Sequence, residues 1–394
     1  MASRARTVVF SLIPVAILLA ILEIAGRILY PFDADGRAMV TARLDKKTSL
    51  PYFHGDAPGV DGRAIMWDVY RMDRRYLPFL GYLGKPGTTL PTLATNPLGF
   101  RDRPITPRQP DEFRILVLGG SVAWGVGASS NEHTVAAALE RQLNKDGGKI
   151  RYRVMSGAFL AYTARQEMVV LTEFLREFDP DLIVSLTGYN DLITVIHEDG
   201  GILERPEEKK LGEAVETNLR PMGTMQALRK VAGSLGIWRL VVYFREMQQA
   251  ANPPTGQYHY DAENSAKWMP AVVDIHRIMA RFAADHGRRY VIALQPDIEM
   301  TGKTMPPEEE AVRAVSTRSR GFAETWRAYR GDLAAALERL DGVPVVDLKG
   351  ALDGLKEPVF IDGCHLNDRG YEQLAVALAA ALGPSLPRPA AQPQ

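Results

Sequence analysis

Ser121 is the residue of this chain best placed to act as a nucleophile. It closes the stretch Phe113-Arg-Ile-Leu-Val-Leu-Gly-Gly-Ser121, and Val-Ala-Trp-Gly125-Val-Gly127 follows soon after. Ile115 to Leu118 reads as a buried parallel strand, and the segment from about His133 to Leu143 as a helix. A serine at the carboxyl end of such a strand stands at the edge where open α/β sheets bind ligands. Its hydroxyl is a poor nucleophile unless a base lies within hydrogen-bond reach. The glycines allow two other chemistries, and both fail on the residue that would perform them. A dinucleotide fingerprint wants glycines at i, i+2 and i+5; Gly125 and Gly127 begin it, but Ser130 fills the third place. A P-loop wants Gly-x4-Gly-Lys-Ser/Thr; Gly120 and Gly125 have the spacing, but Val126 stands where the lysine belongs. On this segment alone, an ordinary strand-to-helix loop remains the competing reading.

Three further segments supply the partners a serine needs. Val154-Met-Ser-Gly-Ala-Phe-Leu-Ala161-Tyr-Thr-Ala-Arg-Gln-Glu167 is a strand end running into a helix. Leu182-Ile-Val-Ser-Leu-Thr-Gly-Tyr-Asn190-Asp191 is a buried strand ending in a polar turn. Phe360-Ile-Asp362-Gly-Cys-His365-Leu-Asn367 lies near the C-terminus. Histidine titrates near neutrality, which suits it to take a proton from serine and return it. A side-chain amide is a preorganised donor for a developing oxyanion. Each residue also has a plainer reading. Asn190 and Asp191 can end a strand in an Asx turn, Asp362 can form a turn beside Gly363, and His365 can be a surface histidine. His54, His133, His197, His259, His276 and His286 lack such a partner pattern and read as structural or exposed.

In order and spacing, the four blocks together resemble the SGNH (GDSL-type) hydrolase family, over roughly Asn96 to Leu382. The upstream Thr95-Asn-Pro-Leu-Gly-Phe-Arg-Asp102 is similar to a lead-in of membrane-tethered bacterial members. The resemblance implies Ser121 as nucleophile, His365 as general base and Asp362 as the group that orients it. It implies an oxyanion hole made of the Ser121 N–H, the Ala161 N–H and the Asn190 amide. Two positions depart from the family pattern. Gly120 replaces the acid of Gly-Asp-Ser. Ala161 replaces a glycine, and its Cβ matters if the backbone there needs φ > 0. The implied fold is α/β, a flavodoxin-like three-layer sandwich around a five-stranded parallel sheet in the order 2-1-3-4-5.

The elements that must position these residues follow from periodicity. Strands are expected near 114–119, 151–156, 182–187, 289–294 and 343–347, and helices near 133–144, 163–177, 266–286, 319–340 and 369–382. Such alternation implies parallel strands with helices on both faces. The hydrolase domain is expected over 111–384, with an insertion at 192–262. Within that insertion Leu228, Val231, Leu235, Trp238 and Val242 fall on one helical face, as a lid or substrate wall or as core packing. Residues 31–110 read as a juxtamembrane segment with turns and short strands around Leu80-Gly-Tyr-Leu-Gly-Lys-Pro-Gly87. The Pro/Ala-rich tail, 385–394, is expected to be disordered.

Residues 1–30 carry Arg4 and Arg6, then an apolar run from Val8 to Leu22 that extends to Leu29 across Glu23 and Arg27. That length suits a hydrocarbon core of about 30 Å, and no A-x-A site follows, so an uncleaved transmembrane signal anchor is expected. Arg27, Arg37, Arg43, Lys46 and Lys47 come after it, so the positive-inside count does not favour export. The short leader and the family resemblance do, and the catalytic body is expected in the periplasm on the inner membrane. Across 394 residues the formal net charge is +0 with no basic tract, which argues against nucleic acid as a partner. The single cysteine, Cys364, excludes an internal disulfide. No clustered ligand spacing points to a metal, and no cofactor is expected. The resemblance thus implies a serine esterase acting on O-acyl, especially O-acetyl, esters of cell-surface or exported glycans. An O-acyltransferase with the same triad and a catalytically silent carbohydrate-binding protein are the alternatives. Oligomeric state is not encoded in any of these features.

Overall fold

The computed structural model describes residues 2–29, 50–56, 59–197, 235–251, 258–316 and 321–387. The chain divides into two compact units, 1–46 with 206–255, and 47–205 with 256–394. In the first, the helix Ala2–Leu29 packs against the helix Gly236–Ala251. Their backbones meet at a glycine pair: a Cβ on Gly26 would lie 1.7 Å from the Gly236 carbonyl oxygen. Glu23 pairs with Arg27 one turn on, at 2.6 Å, and accepts from the Ile237 N–H at 3.2 Å. Among the described residues no helix is long and apolar enough to cross a membrane. They therefore do not support the expected spanning anchor. Its described side chains begin at Leu12, and the stretch from there to Ile28 includes that ion pair; a span needs about 20 mostly apolar residues. The apolar face expected in the insertion falls partly on Gly236–Ala251. Leu235 and Trp238 are exposed, so core packing does not hold for these two. Leu228, Val231 and the rest of 198–234 lie outside the described residues, as do 30–49 and the tail from 388.

The second unit holds the sheet. It opens with helix α1 (Gly62–Arg71), started by Asp61, whose carboxylate accepts from the Ala64 N–H. A hairpin follows, β1 (Arg74–Leu77) and β2 (Gly81–Gly84). Then come β3 (Glu112–Gly119), the single-turn helix α2 (Ser121–Trp124), α3 (Val135–Asn144), β4 (Arg151–Ser156) and α4 (Ala164–Phe178). The chain continues through β5 (Leu182–Thr187), α5 (Tyr189–His197), α6 (Ala262–Asp285) and β6 (Arg289–Leu294). It closes with α7 (Pro307–Ser316), α8 (Phe322–Leu337), β7 (Val345–Asp347) and α9 (Asp368–Leu382).

The five long-range strands pair in parallel in the order β4-β3-β5-β6-β7, which is the 2-1-3-4-5 order expected. The central strands read as continuous apolar runs because both faces are covered. Every residue of β5 is buried, and so are Arg114 to Gly119 of β3. From β3 the chain moves outward to β4 and then returns past β3 to β5. The loops leaving β3 and its two neighbours therefore diverge at one carboxyl edge, and that divergence opens a crevice. Ser121, Ala161 and Asn190 each follow one of these three strands. His276 is wholly buried and bonds the Tyr290 hydroxyl at 2.8 Å through Nδ1, the structural role expected of it.

Candidate active site

The nucleophile's turn is built first. β3 ends at Gly119 and Gly120, and Ser121 is the first residue of α2, half-buried at the crevice. A helix's first N–H groups have no partner within the helix, so the turn offers the Ser121 N–H to the cleft. Arg101 holds this turn from below. Its guanidinium is 2% exposed and donates to the carbonyls of Gly125 at 2.6 Å, Ala128 at 3.0 Å and Thr92 at 2.9 Å, and to Asn131 Oδ1 at 3.1 Å. It also lies over the Trp124 ring at 4.8 Å. Burial lowers its pKa to about 10, so it remains charged at neutral pH.

The acid–base pair sits on the loop between β7 and α9. Asp362 Oδ1 accepts from the Cys364 and His365 N–H groups at 3.1 and 2.9 Å. His365 Nδ1 lies 2.7 Å from Asp362 Oδ2, and Nε2 lies 2.7 Å from Ser121 Oγ. The turn-forming and the histidine-orienting readings of Asp362 thus hold together. With the Nδ1 proton held by the carboxylate, Nε2 is left as the acceptor for the serine proton. Asn367 caps α9 by accepting from the Gly370 N–H at 3.0 Å, which ties the loop to a rigid helix. Gly127 lets the nucleophile's turn meet this loop: φ there is +97°, and a Cβ would lie 2.2 Å from the Leu366 carbonyl oxygen.

The third side is the loop after β4. Ala161 has φ +61°, the left-handed region that favours glycine, so the backbone keeps the glycine-like form despite the Cβ. Two tyrosines brace it. Tyr82 of β2 donates its hydroxyl to the Leu160 carbonyl at 3.1 Å, and Tyr162 donates to the Tyr82 carbonyl at 2.5 Å. Asn190 and Asp191 lie in the first turn of α5 rather than in an Asx turn. Asn190 Nδ2 donates to the Tyr162 carbonyl at 2.8 Å, and Asp191 accepts from the Ala164 N–H at 3.2 Å. Both residues therefore bind the second loop to the third. Gly120 explains its own presence: a Cβ there would lie 2.1 Å from Asn190 Nδ2. The amide occupies the space that any larger residue at 120 would fill.

The structure thus brings together Ser121, His365, Asp362, Ala161 and Asn190, from four separate segments. Sequence reasoning missed Arg101 and Tyr82 as supports. Arg101 sits in the noted Thr95–Asp102 stretch, but nothing in its type reveals burial. It also missed a second acid–histidine cluster, because its members are distant in sequence. His133 lies between Asp56 (Nε2 at 3.5 Å) and Asp368 (Nδ1 at 3.8 Å). One nitrogen of His133 and one oxygen from each of the two carboxylates lie within 4.8 Å of one another, a spacing that could hold a metal ion.

No family model and no curated protein matches the chain. Solved structures of similar shape include an alpha/beta hydrolase enzyme from the metagenome of Lake Arreo, Spain, 14% identical over 69% of this chain and 95% of that one, with a TM-score of 0.39. A two-domain esterase active on acetylated mannans is 11% identical over 72% of this chain and 52% of that one, at 0.37. An acetyl xylan esterase is 10% identical over 70% and 100%, at 0.35. At these identities and TM-scores no activity passes from those proteins to this chain, and the site stands on its own geometry.

Proposed function

We propose that this protein is a serine ester hydrolase of the SGNH type, working through an acyl-serine intermediate. The hydrogen-bond chain Ser121–His365–Asp362, 2.7 Å at each link, carries the reading. Ser121 Oγ attacks the ester carbonyl and its proton passes to His365 Nε2. The developing oxyanion is received by the N–H groups of Ser121 and Ala161 and by the Asn190 amide. The alcohol leaves with the proton from Nε2. Water then attacks the acyl-serine, gives its proton to Nε2, and the carboxylic acid departs with the hydroxyl of Ser121 restored. Asp362 stays ionised throughout and stabilises the imidazolium.

The substrate class is an O-acetyl ester of a glycan, a reading supported by the family resemblance of the motifs. Membrane attachment through Ala2–Leu29, with the catalytic unit in the periplasm, belongs to the same proposal. It is supported by the exposed apolar side chains Leu12, Ile17, Leu18, Ile21 and Ile24. The test supplies purified protein with aryl esters of two, four and eight carbons, then with acetylated glycan, and follows free acetate and acetyl-sugar by mass spectrometry. Acetate as the main product supports hydrolysis. Acetyl-sugar dominating at saturating acceptor would make the protein a transferase, and no turnover of any ester would sink the reading.

A further inference from the structure

The acid and base of the site sit on a loop, and the loop hangs from a buried ion pair. Glu309 on α7 is wholly buried, and its Oε1 accepts from two successive backbone N–H groups, Val359 at 2.9 Å and Phe360 at 2.8 Å. Its Oε2 pairs with the Lys303 ammonium, whose side chain is likewise fully buried. Asp362 lies two residues beyond Phe360. The Phe360 carbonyl accepts from the Tyr52 hydroxyl at 2.9 Å, and burial, then the charge of Glu309, pushes that phenol's pKa up. Farther along the loop, Gly363 O accepts from the Ile298 N–H at 2.9 Å. The segment from Ile298 to Glu309 thus grips the loop on both sides of Asp362. Ile361 N–H closes the turn on the His365 carbonyl at 2.9 Å.

A buried ion pair is weak evidence of added stability, since desolvation offsets the attraction. Two orphaned N–H groups would each be costly, however, and only an acceptor at this spot satisfies both. We propose that Glu309 is a positioning residue: it fixes the Val359–Phe360 backbone, and through it the reach of His365 Nε2 to Ser121 Oγ, with Lys303 holding the carboxylate in place. The inference rests on the hydrolase reading above. Glu309 touches neither Ser121 nor His365, so its effect falls on turnover rather than on substrate binding.

The test uses the full chain and an aryl acetate, with Glu309→Leu and the double variant Lys303→Gln/Glu309→Gln, which replaces the ion pair by an amide pair and keeps an oxygen for the two N–H groups. Glu309→Leu, folded by circular dichroism, is expected to lose about 100-fold in kcat with KM within about threefold, the scale of a small misplacement of a catalytic group. Its Val359 and Phe360 amides should exchange hydrogen faster than in the wild type. The double variant should recover kcat to within about threefold of wild type and restore that protection. A folded Glu309→Leu with wild-type kcat overturns the proposal. So does a double variant that is slow or does not fold, since the charge pair rather than the acceptor would then matter. Should Glu309→Leu fail to fold, the double variant alone decides. Wild-type protein without Ser121-dependent turnover would instead sink the hydrolase reading itself, whatever these variants do.

Discussion

The residues with chemistry were legible because their types are scarce and their order is telling. A serine after a glycine pair, an Asn-Asp pair after a buried strand and Asp-x-x-His near the end left little freedom in assigning partners. What could not be read was the space around them. Gly120 stood as a departure from the family pattern, and only the fold shows that Asn190 Nδ2 occupies its Cβ position. Gly120→Ala should therefore act like Asn190→Ala, lowering kcat by roughly 10²–10³ with a smaller change in KM, because both disturb the amide proposed as an oxyanion donor. A Gly120→Ala variant with wild-type kcat would show that the amide is not held where the cleft needs it. Ala161→Gly tests the neighbouring donor. Relief of a left-handed alanine is worth roughly 1–2 kcal/mol, against about 0.5–1 kcal/mol of added chain entropy in the unfolded state. Melting temperature should hold or rise slightly, and kcat should stay within about threefold. A large loss in either would mean that the methyl group packs usefully.

Among the elements, five strands and five helices stood close to where their periodicity placed them, because a sheet buried on both faces leaves unbroken apolar runs. The short pieces were less defined. Turns and short strands were expected around Leu80 to Gly87, where β2 lies, but not that its Tyr82 braces the loop carrying Ala161. Helix α7 begins with Pro307-Glu-Glu-Glu310, three acids at a helix start; burial of the second, Glu309, depends on a partner six residues away and a loop fifty residues on. Glu167 on α4 is a similar case. It is wholly buried against Ser185, and burial raises its carboxyl from the usual 4.5 to about 7. The folded state thus holds a proton that the unfolded chain releases. The stability this contributes is full below about 4.5 and is lost as pH rises through about 7. Glu167→Gln, neutral at every pH, should gain on the wild type in urea midpoint between pH 5 and pH 8. A gap between the two midpoints that does not move with pH would contradict this.

For the whole molecule, periodicity gave the sheet order's ingredients, and the family resemblance gave the order itself. The division of the chain was less visible. The N-terminal helix and a helix more than 200 residues later form one unit, and their meeting point is two glycines that carry no pattern in sequence. The proposed membrane attachment predicts that full-length protein fractionates with membranes and resists an alkaline carbonate wash, whereas a chain starting near Asp33 is soluble; a full-length protein stripped by the wash would contradict it. A C-terminal alkaline phosphatase fusion should be active if the body is exported; a silent, well-expressed fusion would place it in the cytosol. Everything else depends on Ser121 being an activated nucleophile. The most direct measurement is fluorophosphonate labelling of the purified wild type, Ser121→Ala and His365→Ala, with aryl acetate turnover followed in parallel. The geometry predicts one label, located on Ser121 by peptide mass spectrometry, and a loss of about 10⁴–10⁶ in kcat for either variant with the fold intact. A label elsewhere, or substantial turnover by Ser121→Ala, would contradict it.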